Sequence, residues 1–287
     1  MSITADRERD FYDANYAQFL NLLAADLVCN RRTIEVDLAN PSKTIYERRR
    51  LYHAILEALL AEPVADRAVL DYGCGTGDWG LMLAGEGANV TFLDLSPVAI
   101  QVALNRASAS GVSDRVRGIS RDASDLSCFR DEEFDLIYAS AAIHHTLKYP
   151  YAFEELIRVL RTGGRLVLAE TYGNNQLLNL ARKMVWRVRG QAEEAGEEIV
   201  FNDAHVAMLR AHLKHVEIRP MNLFAMAKRA FRGKFESTAV RATIRVLETL
   251  DSAILKAVPT KPFWRSGIAA LRCYHLSISS VAIPSYV

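Results

Sequence analysis

The chain has 287 residues, half of them hydrophobic, and a net charge of +1 at neutral pH. It can bury a sizeable core, and it has no overall field that would draw it onto nucleic acid or a membrane. No run of ~18 apolar residues offers a spanning helix, no apolar stretch follows the charged start as in a secretory signal, and cysteines 29, 74, 128 and 273 form no C-x-x-C pair. A disulfide framework or zinc site is therefore not expected, and a reducing cytoplasm is. In chain order, 5–28 reads as a helix carrying Phe11, Tyr12, Tyr16 and Phe19. Asn40-Pro41-Ser42 breaks the chain, Ser42 is placed to cap a helix over 43–61, and Glu62-Pro63 ends it. Strands and helices then alternate: strand 67–72, helix 77–85, strand 89–94, helix 96–110, strand 115–121, strand 134–140, helix 149–161, strand 165–170. That rhythm predicts a parallel sheet with helices on both faces. Beyond it come a helix over 175–189, a polar stretch 190–198, a helix over 203–213, a strand over 214–219, a largely helical segment 223–270, and a last strand over 272–282.

The most informative stretch is Val69-Leu70-Asp71-Tyr72-Gly73-Cys74-Gly75-Thr76-Gly77. An apolar strand ends in an acid and runs into three glycines at alternate positions. Glycines there let the chain turn tightly and let a ligand approach closer than a Cβ allows. The spacing is G-x-G-x-G, not the G-x-G-x-x-G of a dinucleotide site, and no phosphate-binding lysine follows. A second strand, Val90-Thr91-Phe92-Leu93, ends at Asp94. Acid-ended strand, glycine loop, helix and acid-ended strand form the layout of a nucleoside site in a doubly wound sheet.

On these residues the segment resembles the S-adenosylmethionine (SAM) site of class I methyltransferases, in particular the small-molecule, UbiE-like (type 11 or 12) group. The resemblance implies an α/β, doubly wound, Rossmann-like fold with a seven-stranded, mostly parallel sheet, N-terminal cover helices and a helical insertion before the last strand. It divides the chain into a helical cap 1–62, a SAM-binding core 63–222, a helical lid 223–270 and a final core strand 271–287. By resemblance, Asp71, Gly73, Cys74 and Gly75 surround the amino-acid part of SAM, and Gly77 packs a helix. Asp94 meets the ribose and Leu95 packs on adenine; Asp122-Ala123 meets the adenine edge, and Ser140 passes the methionine moiety. Each has a plainer alternative: Asp122 can cap a turn, and Ser140 can be a small residue at a tight bend.

His144 and His145 follow strand 134–140, on the rim where the methyl group should point. Histidine suits proton transfer near neutral pH, so both are candidate catalytic residues, although such a pair can also be structural. Val159-Leu160-Arg161-Thr162-Gly163-Gly164 resembles the family's helix end, with threonine in place of the usual proline. Phe11-Tyr12-Asp13-Ala14-Asn15-Tyr16 resembles its aromatic cover helix, with Tyr12 and Tyr16 on one face. Tyr12 is read as a cofactor contact and Tyr16 as a catalytic or cation-facing group, against ordinary helix packing. The segment 223–270 is basic, with Val240, Ile244, Leu247, Leu250 and Ile254 at helical spacing. It reads as an amphipathic lid with a solvated basic face, with an acidic or lipid-like substrate or weak membrane-surface contact as alternatives.

The expected partner is a small-molecule methyl acceptor, with SAM as cofactor, no metal and no nucleic acid. The rival readings are an inactive SAM-binding partner subunit and an NAD-dependent oxidoreductase. Asp78 stands directly after Gly77, where the latter would want its spacing completed.

Overall fold

The computed structural model describes residues 3–147, 149, 151–173, 180, 201–221, 228, 231–257 and 266–274. The N-terminal part holds α1 (Ile3–Ala17), a 3-10 turn (Gln18–Asn21), α2 (Ala24–Leu27), α3 (Arg31–Ala39), a second 3-10 turn (Thr44–Arg48) and α4 (Arg49–Leu59). There follow β1 (Ala68–Tyr72), α5 (Asp78–Gly85), β2 (Asn89–Asp94), α6 (Pro97–Ala109), β3 (Val116–Ser120) and β4 (Phe134–Ser140). The rest comprises α7 (Ile143–Thr146), α8 (Ala152–Val159), β5 (Leu160–Gly173), α9 (Asp203–His212), β6 (His215–Met221), α10 (Thr238–Ala257) and β7 (Ser266–Tyr274).

The seven strands form one sheet in the order β3-β2-β1-β4-β5-β7-β6. The pairings are parallel as far as β5, and β7 runs antiparallel to both β5 and β6. The expected seven-stranded, mostly parallel α/β sheet is therefore present. One face is covered by α3 to α6 through Ile34, Leu38, Ile55, Leu59, Leu81 and Ala103. The other is covered by α8 and α9 through Phe153, Leu156, Val206 and Leu209. Burial of each large aliphatic chain contributes roughly 1.5–3 kcal/mol, so the N-terminal helices are part of the sheet's own core.

Several boundaries differ from those the sequence predicts. The helix expected over 5–28 ends at Ala17, because Leu22 and Leu23 are extended. That extension brings Cys29 inward, where its N–H donates to Ser110 Oγ at 2.9 Å and its Sγ meets the Asp78 carbonyl at 3.3 Å. Helix α3 is an addition to the expected elements, although Asn30 and Thr33 form a reciprocal capping box at its start. Ser42 caps nothing; its hydroxyl donates to Glu236 at 2.5 Å, and the first turn of the next helix is 3-10. Strand β5 is longer than 165–170, and β7 begins at Ser266 rather than near 272, matched residue for residue to β5. The helix expected over 175–189 lies outside the described residues apart from residue 180, and the polar stretch 190–198 lies wholly outside them.

In α10 the amphipathic stripe is turned. Ile244, Glu248 and Asp251 are buried, while Leu250 is 48% exposed and Val246 60%. Two carboxylates face inward, which a hydrophobic pattern does not register. Nor is the basic face simply solvated: Lys228 is buried, Arg232 pairs with Glu47, and Arg241 donates to the Phe235 and Glu236 carbonyls.

Candidate active site

In a doubly wound sheet, ligands sit in the crevice at the strands' carboxyl ends, where the chain reverses its direction across the sheet. Here that point lies between β1 and β4. The loops after these two strands meet across it. A Cβ on Gly73 would stand 2.5 Å from the Cβ of Ala142, so no other residue fits without displacing the β4 loop. Gly73 also has φ +68°, in the region that favours glycine. The backbone N–H groups of Gly73 and Cys74 both donate to the Leu93 carbonyl, at 2.8 and 3.0 Å, which ties the loop to β2.

Asp94 ends β2 beneath this loop. Its Oδ2 accepts from Gly75 N–H at 2.8 Å and its Oδ1 from Ser96 N–H at 2.9 Å. Asp71 is buried in β1, with Oδ2 accepting from Gly80 N–H at 3.0 Å. Burial pushes the Asp71 carboxyl up to about 7, with Asp78 and Asp94 adding to the rise. Burial also holds Asp94 above the ordinary carboxylate range, against the Ser96 and Gly75 N–H groups and with Asp13 adding to it. Burial, reinforced by neighbouring carboxylates, thus disfavours ionisation of both acids, which suits a cationic or strongly donating ligand.

Gly77 packs as expected, since a Cβ there would meet Ala103 at 2.9 Å. Gly80, which no sequence motif singles out, is tighter still: its Cβ position is filled by the Phe92 ring and lies 2.7 Å from Asp71 Oδ2. Arg106 of α6 fixes the far end of the loop, donating to the Thr76 carbonyl at 2.6 Å and to Asp78 Oδ1 at 2.8 Å. The Cys74 thiol is pushed well up by burial and by Asp94 and Asp71, so it is not a nucleophile here.

Helix α1 lies on top. The hydroxyl of Tyr16 is 2.9 Å from where a Gly75 Cβ would be, and the Tyr16 and Tyr12 rings stack at 6.0 Å. Tyr12 Oη lies 3.3 Å from His145 Nε2, and Glu8 Oε1 lies 2.7 Å from His145 Nδ1. Glu8, Tyr12 and Tyr16 recur every four residues, one face of a helix. Asp13 anchors the helix through the hydroxyl of Ser96, the N-cap of α6. Glu8 and Asp13 are absent from the residues that the sequence points to; the four-residue spacing from Tyr12 back to Glu8 is the signal that reveals the first of them.

The two histidines separate in role. His144 is buried, its Nδ1 2.8 Å from Glu170 Oε2, while Glu170 Oε1 accepts from the Ala142 and Ile143 N–H groups at 3.1 and 3.0 Å. His144 is therefore held against β5 by Glu170, a pairing that fits the structural alternative for this residue. His145 is half-buried and faces α1. Ala141, between β4 and this loop, has φ +51°, a strained conformation for a residue with a side chain.

The remaining expected residues lie along the same edge. Leu95 is half-buried, and its carbonyl accepts from Ser120 Oγ at 3.3 Å. Asp122 Oδ1 accepts from Ser124 N–H at 2.9 Å, the turn-closing role its position also allows. The Ala123 carbonyl accepts from Tyr72 Oη at 2.8 Å, and the same hydroxyl reaches Thr146 Oγ1 at 2.9 Å, linking the β3 and β4 loops. Ser140 ends β4 opposite Ala169. Two residues earlier, the Tyr138 hydroxyl is buried, and burial pushes it well above the ordinary tyrosine range, against the Ser140 side chain.

This sheet order, with a glycine loop and an acid-ended β2 at its switch point, is the arrangement that the resemblance to class I methyltransferases implies. Residues 69–164 match the family model described as a methyltransferase domain. The demethylmenaquinone methyltransferase of Clavibacter sepedonicus is 36% identical over 108 residues, 38% of this chain and 42% of that protein. The 27-O-demethylrifamycin SV methyltransferase of Amycolatopsis mediterranei is 34% identical over 116 residues, 40% of this chain and 42% of that protein. The chain thus spans less than half the length of these curated relatives. Among solved structures, Haemonchus contortus phosphoethanolamine N-methyltransferase 2, in complex with phosphomonomethylethanolamine and S-adenosylhomocysteine (SAH), aligns with a TM-score of 0.51. It is 18% identical over 78% of this chain and 52% of that one, a likeness of fold.

Proposed function

We propose that the chain is a SAM-dependent methyltransferase acting on a small organic acceptor, of the kind found in quinone, lipid or secondary-metabolite biosynthesis. The observation that carries this reading is the buried Asp94 carboxylate clasping Gly75 N–H at the switch-point crevice. The residues fit the cofactor: Gly73 and Gly75 let the β4 loop and Tyr16 close directly onto the glycine loop, and two buried carboxylates of raised affinity for protons suit positive charge. Asp71, Gly73, Cys74, Gly75 and Ser140 would hold its amino-acid part, Asp94 its ribose, and Leu95, Asp122 and Ala123 its adenine. Tyr12 and Tyr16 would close over it.

SAM, when bound, supplies an electrophilic methyl group on a sulfonium. The protein's main contribution is alignment, because a displacement at that methyl needs no protonated leaving group. Tyr16 brings its hydroxyl to the glycine loop at Gly75, where it can orient a ligand. His145 is the proton acceptor: Glu8 at Nδ1 fixes the ring so that Nε2 faces Tyr12 Oη and the site. The free thiols of Cys29, Cys74, Cys128 and Cys273 suit a reducing cytoplasm. No described helix is long and apolar enough to cross a membrane.

Titration calorimetry with SAM, SAH and NAD tests the reading. SAM and SAH should bind in the micromolar range, near −8 kcal/mol, and NAD should not bind. NAD binding with no response to SAH would overturn it. SAH binding without turnover of any acceptor would leave a SAM-binding subunit instead.

A further inference from the structure

Helix α6 turns Ala99, Ala103, Arg106 and Ala107 inward. Arg106 on that face is 8% exposed, and a charge so buried stands only where acceptors meet it. Arg106 meets acceptors on three segments. Its Nη1 donates to the Thr76 carbonyl at 2.6 Å, in the glycine loop. Its Nη2 donates to Asp78 Oδ1 at 2.8 Å, at the start of α5. Its Nε donates to the Leu27 carbonyl at 3.3 Å, at the end of α2. Each nitrogen of the planar fork thus serves a different stretch of chain.

The contact with Leu27 ties the glycine loop to the N-terminal cover. Residues 18–30 join the cover helix α1 to α3. Beside Leu27, Cys29 N–H donates at 2.9 Å to Oγ of Ser110, the C-cap of α6, and Cys29 Sγ meets the Asp78 carbonyl at 3.3 Å. The cover therefore reaches the loop at both ends. Tyr16 Oη lies 2.9 Å from the Gly75 Cβ position, and Leu27 is joined to Thr76 through one guanidinium. The near half of the loop, Gly73 to Gly75, is held by its own N–H groups on Leu93 and Asp94. The far half, Thr76 to Asp78, is held by Arg106.

Resting on the methyltransferase reading, we propose that Arg106 is a positioning residue that couples the seating of the cover to the grip of the glycine loop on SAM. With the cover seated, Leu27 and Asp78 orient the guanidinium, and the guanidinium holds the Thr76 carbonyl, so the loop keeps its shape for the cofactor. The coupling is reciprocal: a cofactor that fixes the loop fixes Arg106, and with it the segment that carries α1. Lysine does not replace it, since an ammonium has no fork to span acceptors on three segments.

Calorimetry with SAH, and hydrogen exchange over residues 22–33 read with and without SAH, test this. In the wild-type protein SAH should slow exchange there by ~5-fold or more, the low end of coupling between sites. Arg106→Ala should bind SAH ~10-fold more weakly, and SAH should then slow exchange by no more than about twofold. Arg158→Ala is the control. Arg158 of α8 also clasps two carbonyls, those of Phe129 and Leu126 at 3.0 Å each, but on the other face of the sheet. Its loss should leave both readings within about twofold of wild type, as for an independent site. Should Arg106→Ala fail to fold, Arg106→Lys carries the test, with SAH binding weakened ~5-fold or more. Wild-type protein that binds SAH with no change in exchange over 22–33 would overturn the proposal. So would an Arg106 variant that keeps either wild-type affinity or wild-type protection. An equal loss of SAH affinity in Arg158→Ala would mean general loosening of the fold, and would overturn it too. Absence of SAH binding in the wild-type protein is a separate outcome, which removes the methyltransferase reading and this proposal with it.

Discussion

The rim between β1 and β2 and the helical cover above it are built by opposite means. The rim is backbone: Gly73, Cys74 and Gly75 spend their N–H groups on Leu93 and Asp94, about twenty positions away. The cover is side chains meeting across the whole chain. Tyr12 reaches His145 over 133 positions, Ser42 reaches Glu236 over 194, and Arg49 reaches Glu248 over 199. A site that works through backbone must be written as a local glycine pattern, because no other residue allows the approach. A cover that works through pairs shows its logic only after folding has brought the partners together.

The largest expected effect tests the rim. Gly73→Ala places a Cβ 2.5 Å from Ala142 at positive φ. Left-handed backbone costs ~1–2 kcal/mol and overpacking a further ~1–3, so urea unfolding should show a loss of about 3 kcal/mol. Gly163→Ala is the control, with positive φ but nothing within 4 Å, and should lose only about 1 kcal/mol. Equal losses at the two glycines would mean that the two loops do not press together as described.

Next comes Asp94→Ala. It removes the carboxylate proposed for the ribose and leaves the Gly75 and Ser96 N–H groups without their acceptor. SAH affinity should fall by about 2 kcal/mol, as for a charge-assisted hydrogen bond. Unchanged affinity by calorimetry would remove Asp94 from the site.

Gly73 and Asp94 are both legible in the amino-acid sequence, as is the alternation that builds the sheet as far as β5. Glycine spacing and period-two strands are local signals, and they survive folding with boundary shifts of a few residues. What is not legible is set by distance along the chain. Nothing near His144 announces Glu170, and nothing near Glu8 announces His145, so the sequence offers both histidines as candidates without showing the partner that holds each. The buried face of α10 is hidden for a different reason. Glu248 is inside because Arg49 meets it there, and a hydropathy pattern scores a carboxylate as outward whatever its partner.

A smaller effect should appear in pH dependence. Burial raises the Asp71 carboxyl to about 7, so the crevice without ligand takes up a proton below that pH. A cationic ligand favours the ionised form, and Asp94 shifts in the same direction. SAM affinity should therefore weaken as pH falls from 8 to 6, by ~10-fold or about 1.4 kcal/mol. The sign for stability is the reverse. A carboxyl whose folded value is raised contributes stability that is full below its unfolded value and is lost as pH rises through about 7. Asp71→Asn should flatten both profiles. Equal SAM affinity at pH 6 and 8 would show that Asp71 does not sense the ligand.

The smallest expected effect belongs to the cover, and it decides which face of α10 is inward. A purely hydrophobic stripe through Val240, Ile244, Leu247, Leu250 and Ile254 makes Leu250 a core residue, and a buried leucine replaced by a polar residue costs several kcal/mol. In the structure Leu250 is 48% exposed, while Glu248 and Asp251 on either side are buried. Glutamine is a good helix former and keeps much of the same volume, so neither propensity nor a cavity counts against it. Leu250→Gln should thus change stability by no more than about 0.5 kcal/mol, the range of surface substitutions away from special features. Urea unfolding measures it directly. A loss of about 2 kcal/mol or more would turn α10 by roughly a quarter of a turn and put Leu250 inside. Glu248 would then leave the interior, and the buried pairing with Arg49 and Lys228 would go with it.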